Sequence, residues 1–158
     1  MLSMSIGVLF LAFFGLIIPP VDNSKFINIT LDTSNISQRF TVSLVRGTPY
    51  NPTIAQCDST PLGTADGSKI DTNIINNLRW CAVSQELLKQ FGGKLWYGDT
   101  IYVYPIDYKD SKYERRIIGR WVIHDTMNKR CKKSMDFLCS KGYIRGVFKN
   151  LLIIKINR

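Results

Sequence analysis

Apolar and polar side chains in this chain are arranged mostly in short alternating or apolar runs rather than over long helical stretches. Phe40–Val45 alternates, and Ile101–Tyr104 is a β-branched and aromatic run opened by the turn-like Gly98-Asp99. Ile117–Ile123 contains Trp121 and Val122, and Leu151–Ile156 is wholly apolar up to Ile154 before Lys155. Each stretch reads as a strand, and the last suits a strand buried within a closed barrel. Helical pattern is confined to two short pieces. Ser84–Gln90 has a serine able to cap the first turn, Leu87-Leu88 as its apolar face and Gly92-Gly93 as its stop. Ser134–Lys141 is similar, with Ser134 as cap and Gly142 after it. Gly47–Asn77, rich in Thr, Pro, Gly, Asp and Asn, reads as a long irregular segment. Short strands, two small helices and long loops predict a mainly β fold, a compact six-stranded barrel over residues 39–158.

The start of the chain is different. Residues 1–21 carry no charged side chain, and Ile6–Val21 is an apolar run ended by Pro19-Pro20 and followed by Asp22. The run falls short of the roughly 20 residues that a spanning helix needs. It reads as a signal peptide or, if uncleaved, as an N-terminal anchor, with the polar, Asn/Ser-rich residues 22–38 as a linker. The protein is therefore expected in the periplasm, the cell envelope or the medium, touching a membrane only if the anchor is retained. The net charge of +9 then belongs entirely to the exported part. Such a surface suits anionic partners. The cations form no stripe and no nucleic-acid-binding motif is present, so nucleic acid is not expected as a partner. The densest cluster is Lys129-Arg130 with Lys132-Lys133.

Four cysteines, Cys57, Cys81, Cys131 and Cys139, would meet an oxidising compartment on export. They permit three pairings, and the sequence does not choose among them. Cys131–Cys139, closing a short loop around Asp136, and Cys57–Cys81, tying the long loop to a strand, are taken as the expected bridges. No Cys-x-x-Cys pair exists, so no zinc is expected, nor any other metal or cofactor.

Several segments, taken in order, resemble one family. They are Thr48-Pro49-Tyr50, Thr64-Ala65-Asp66-Gly67, Trp80-Cys81-Ala82-Val83-Ser84, Leu95–Val103, and Asp125 with Asp136 eleven residues on. This series resembles the three-aspartate (3D) family of double-psi β-barrels, which includes the catalytic barrel of membrane-bound lytic transglycosylase A and the stationary-phase survival proteins. Rare lipoprotein A and the expansins are more distantly similar. The strings at Tyr50–Thr53, Gln56–Asp58, Thr60–Leu62 and His124–Asn128 resemble a subgroup of short exported proteins. Two departures stand out: the family's first aspartate falls at Ser84, and its Gly-Gly after the second is Thr126-Met127-Asn128 here.

The resemblance implies a monomeric double-psi barrel acting on peptidoglycan glycan strands. A lytic transglycosylase cleaves without water, because the muramic acid's own 6-hydroxyl attacks C1 and closes a 1,6-anhydro ring. One carboxyl group then serves as acid and afterwards as base. By resemblance Asp136 is that group, with Asp125 as the neighbour that raises its pKa. Tyr50, Thr64 and Trp80 are candidates for the groove wall, and the loop holding Lys129 should border the groove. On a regular strand His124 and Asp125 point to opposite faces, which makes His124 structural. Ser84 in an acid position favours an alternative, a catalytically inactive glycan-binding module. A hydrolytic endoglycosidase would need a second carboxylate in the groove, with Asp66 or Asp58 available.

Overall fold

The structure, a computed structural model, describes residues 40–53 and 60–157. The expected signal peptide or anchor, the linker, Cys57 and Asp58 lie outside the described residues. Six strands carry the fold: β1 (Phe40–Tyr50), β2 (Trp80–Val83), β3 (Thr100–Pro105), β4 (Gly119–Thr126), β5 (Ser134–Leu138) and β6 (Phe148–Ile156). Two short helices, α1 (Ile75–Leu78) and α2 (Lys112–Ile117), lie in the connections.

The strands hydrogen-bond in a closed ring in the order β1-β5-β2-β4-β3-β6. β6 returns to β1, so the aliphatic strand foreseen at the end of the chain is paired on both sides. Two neighbouring pairs are parallel, β1 with β5 and β2 with β4, and the other four are antiparallel. Exchanging β1, β2 and β3 for β4, β5 and β6 reproduces every pairing with its direction. The ring is thus two interlocked halves related by an approximate twofold, whose axis passes between Ala82 and Asp136, opposite each other on β2 and β5.

Alternate residues point into the ring and pack there, among them Val45, Cys81, Val83, Trp121, Met135 and Phe137. Gly47 is required by this packing. A Cβ at that position would lie 2.4 Å from Leu151 Cδ1 and 2.8 Å from Phe137 Cε2. Arg79, just before β2 and in the left-handed conformation (φ 55°), places its guanidinium against the carbonyls of Arg116, Ile118 and Arg120. The same group lies 4.0 Å from the Trp121 ring.

Both expected helices are corrected. Ser134–Lys141 opens as strand β5, because its backbone is paired with β1 on one side and β2 on the other. Residues on both of its faces are buried, with Asp136 alone half-buried, which removes the alternation that marks a half-buried strand. Ser84–Gln90 forms two 3₁₀ turns, Gln85–Leu87 and Lys89–Phe91, broken at Leu88 where the backbone is extended. Ser84 does not cap. Its hydroxyl donates to Glu86 Oε1 (3.0 Å) and accepts from Ser134 N (3.1 Å).

The expected Cys131–Cys139 bridge is corrected as well, while Cys57 of the other expected bridge lies outside the described residues. Cys81, Cys131 and Cys139 are free thiols. Cys131 precedes β5 and Cys139 follows it, so an extended strand about 13 Å long separates them. That exceeds the roughly 7 Å Cα separation a disulfide tolerates. Cys81 faces the sealed interior of the ring, where burial pushes its thiol far above the ordinary range.

Candidate functional site

The registers of four adjacent strands line up one row of residues. Thr48 on β1 faces Asp136 on β5, Asp136 faces Ala82 on β2, and Ala82 faces Asp125 on β4. Met135 and Phe137 flank Asp136 in sequence and fill the interior, so Asp136 stands on the outer face of the ring. The row therefore crosses that outer face: hydroxyl, carboxyl, methyl, carboxyl. The two acids are two strand spacings apart, about 10 Å between Cα atoms. Ala82, buried at 4% exposure, lies between them.

The two carboxyl groups have different surroundings. Asp136 is half-buried, and burial pushes its pKa above the ordinary carboxylate value. The Thr48 hydroxyl, which donates to Asp136 Oδ1, and the Arg46 guanidinium oppose that rise, while the charge of Asp125 adds to it. Asp125 instead receives two backbone N–H donors on Oδ1, from Ala65 (3.0 Å) and Thr126 (2.8 Å). A carboxyl group whose pKa is raised, as that of Asp136 is, suits a proton donor.

One pleat repeat along the strands lies a row of larger side chains. Tyr50 on β1 faces Leu138 on β5, and Trp80 lies on the same side of β2 as Ala82. Tyr50 and Trp80 pack partly buried against a satellite cluster of Ile70, Ile75 and Leu138. On the other side of the acid row stands Arg46, whose backbone N–H donates to Lys133 O (2.8 Å).

The remaining expected residues divide. Thr64 commits its hydroxyl to Asp66 Oδ1 (2.7 Å) and Ser68 O (3.0 Å), so it shapes its own loop. Lys129 is exposed in the β4–β5 connection, which leaves β4 one residue after Asp125 and rejoins β5 two residues before Asp136. Its neighbours are tied down: Lys133 N donates to Glu86 Oε1 (2.5 Å) and Lys132 Nζ lies 3.7 Å from Glu86 Oε2.

His124 departs from expectation. The β2–β4 register shifts between Cys81, opposite Ile123, and Ala82, opposite Asp125, so His124 is the extra residue of a β-bulge. A bulge re-aims side chains. The His124 ring stacks on Trp80 with centroids 4.1 Å apart, and its Nδ1 lies 2.7 Å from Asp66 Oδ2. Both His124 and Asp125 thus meet the 60–70 loop, instead of diverging to opposite faces.

Sequence reasoning assigned no role to Thr48, Arg46, Ala82 or Tyr97. Thr48 opens the first matched motif, which was a usable signal. Tyr97 hydrogen-bonds Thr126 and Gln90, and burial, with the nearby charges of Asp125 and Asp66, raises its phenol pKa. A cavity of about 530 Å³ lies between the start of β1 and the 3₁₀ segment, and one of about 360 Å³ beside α2. The acid row is in neither. No protein-family model matches this chain, and no curated protein matches it.

Proposed function

We propose that this domain is an exported double-psi β-barrel that cleaves peptidoglycan glycan strands in the manner of a lytic transglycosylase. The observation that carries the reading is the pair of carboxyl groups, Asp136 and Asp125, in one row of the ring, the first with its pKa raised. Asp136, its pKa raised by burial, holds a proton for the leaving glycosidic oxygen. The same group, once ionised, takes the proton of the sugar's own 6-hydroxyl. Thr48 orients its carboxyl, and Asp125 supplies the negative charge beside the developing oxocarbenium. Tyr50 and Trp80 form an aromatic border to the groove, and the Lys129 loop with Arg46 an electropositive one. The twofold pairing pattern of the ring supports the double-psi assignment. The uncharged apolar run at residues 6–21 supports export.

A second reading is favoured by the spacing of the row. Carboxyl groups well separated leave room for a water molecule, with Asp125 as its base, which would make the reaction an inverting hydrolysis. Mass spectrometry of purified peptidoglycan after incubation separates these readings. Transglycosylation gives 1,6-anhydromuramic ends, and hydrolysis gives reducing ends. Binding without product would leave the inactive glycan-binding module.

A further inference from the structure

The loop of residues 60–70 is fastened to two consecutive residues of β4. Ala65 N donates to Asp125 Oδ1 at 3.0 Å, and Asp66 N donates to His124 O at 3.3 Å. The Asp66 carboxyl spans the junction. Its Oδ2 lies 2.7 Å from His124 Nδ1, while Oδ1 accepts from Thr64 Oγ1 (2.7 Å) and Ser68 N (3.0 Å). Ser68 Oγ lies 3.2 Å from the same imidazole nitrogen. The bulge makes this double attachment possible, because on a regular strand the two side chains would leave opposite faces and one loop could reach only one of them.

We propose that Asp66 and His124 are positioning residues for the acid row: their pairing holds the loop so that the Ala65 N–H meets Asp125 and fixes that carboxyl in the row with Asp136. Its consequence for catalysis rests on the function proposed above; the fastening of Asp125 does not.

The charged and titratable groups around His124 are Asp66 on the loop and Asp125 next to it on β4, with the Tyr97 phenol near both acids. The group packed against it from β2 is the uncharged Trp80 ring. Burial alone would raise the Asp66 pKa, but hydrogen bonds from Thr64, Ser68 and His124 outweigh it and hold the carboxyl below its ordinary value. The clamp is therefore complete at neutral pH and opens only as pH falls through that depressed value. A neutral imidazole with its proton on Nδ1 donates to Asp66 as an imidazolium does, so the clamp needs the donor and not the charge.

Backbone amide exchange of the full chain, followed by NMR, tests this. In Asp66→Ala and in His124→Ala the Ala65 amide should exchange about tenfold faster or more, the factor for losing a charge-assisted hydrogen bond, while the core amides of Phe137 and Ile153 keep their protection. His124→Asn, whose side-chain amide places a donor where Nδ1 stands, should restore Ala65. On glycan strands the two alanine variants should lower kcat with KM kept, and His124→Asn should recover it. Unchanged Ala65 protection in the alanine variants would overturn the proposal. So would loss of Ala65 and core protection together, or failure of His124→Asn, which would leave stacking on Trp80 as the fastening. If the wild-type protein cleaves no glycan, the proposed function falls, and the exchange data still judge the clamp.

Discussion

The two halves of the ring share their pairing pattern and differ in their chemistry. By the twofold, Ala82 in β2 is equivalent to Asp136 in β5, and Thr48 in β1 to Asp125 in β4. The first half contributes a hydroxyl and a methyl group, and the second contributes both acids. A symmetric row of four acids would hold mutually repelling charges with no space between them. The different residues of the first half supply a donor for Asp136 and keep a further carboxyl from standing between the two acids. The halves differ in length too. Val45 and Trp121 are equivalent through their partners on β6 and β3. Two residues then separate Val45 from Thr48, and three separate Trp121 from Asp125. The extra residue is His124, so the bulge belongs to the acid-bearing half alone.

The most damaging way to alter this asymmetry is to neutralise its acid. Asp136→Asn keeps the shape and the bond from Thr48 but removes the proton, so glycan cleavage should fall about 10²–10⁴-fold, measured by anhydromuropeptide release. Stability should move the other way. A raised folded-state pKa means that the folded domain holds this proton more tightly than the unfolded chain. That contribution is complete below the unfolded carboxylate value and is lost as pH rises through the raised one. Asp136→Asn lacks this loss, so its Tm should gain on the wild type as pH rises toward neutrality; a constant difference across pH would contradict it.

Making the halves more alike should also be costly. Ala82→Asp sets a third carboxyl, at a position only 4% exposed, between the two present. Desolvation and like-charge repulsion together should cost about 3 kcal/mol at neutral pH. Urea denaturation should show the deficit shrinking in acid, where the new group is protonated. Thr48→Val is milder. Losing the hydroxyl donor removes an influence that lowers the Asp136 pKa, so the alkaline limb of the pH–rate profile should shift upward. The rate at the optimum should fall about fivefold, the value of one hydrogen bond. Lys129→Gln should do least, slowing association with peptidoglycan about threefold or less at low salt, an effect that vanishes as salt rises.

Four strands were legible where apolar runs were long or alternated: Phe40–Val45, Ile101–Tyr104, Ile117–Ile123 and Leu151–Ile156 lie on or overlap β1, β3, β4 and β6. Trp80–Ser84 was one of the segments that carry the resemblance, and β2, four residues long, lies within it. β5 was hidden because burial on both faces erases the period-two signal and leaves a short apolar run that reads equally well as helix. Helix α2 was missed although Ser111 and Glu114 form a capping box, with each side chain meeting the other's backbone N–H. In the candidate site, the two aspartates were singled out through the resemblance, whose signature has their separation. Their sharing of a row with Ala82 and Thr48 depends on strand register, which no local pattern encodes. The bulge at His124 is invisible in the same way.

The order in which strands meet in the ring has a consequence for how it forms. β1 is the first described strand along the chain, yet its neighbours are β5 and β6, the last two. Thr48 and its partner Asp136 are 88 residues apart in sequence. No early hairpin can shelter β1, and closing such long loops must precede the contacts that reward it. Chains dominated by distant pairings fold on the millisecond-to-second scale. The acid row, assembled from four strands drawn from both ends of the sequence, comes into being only when the ring closes.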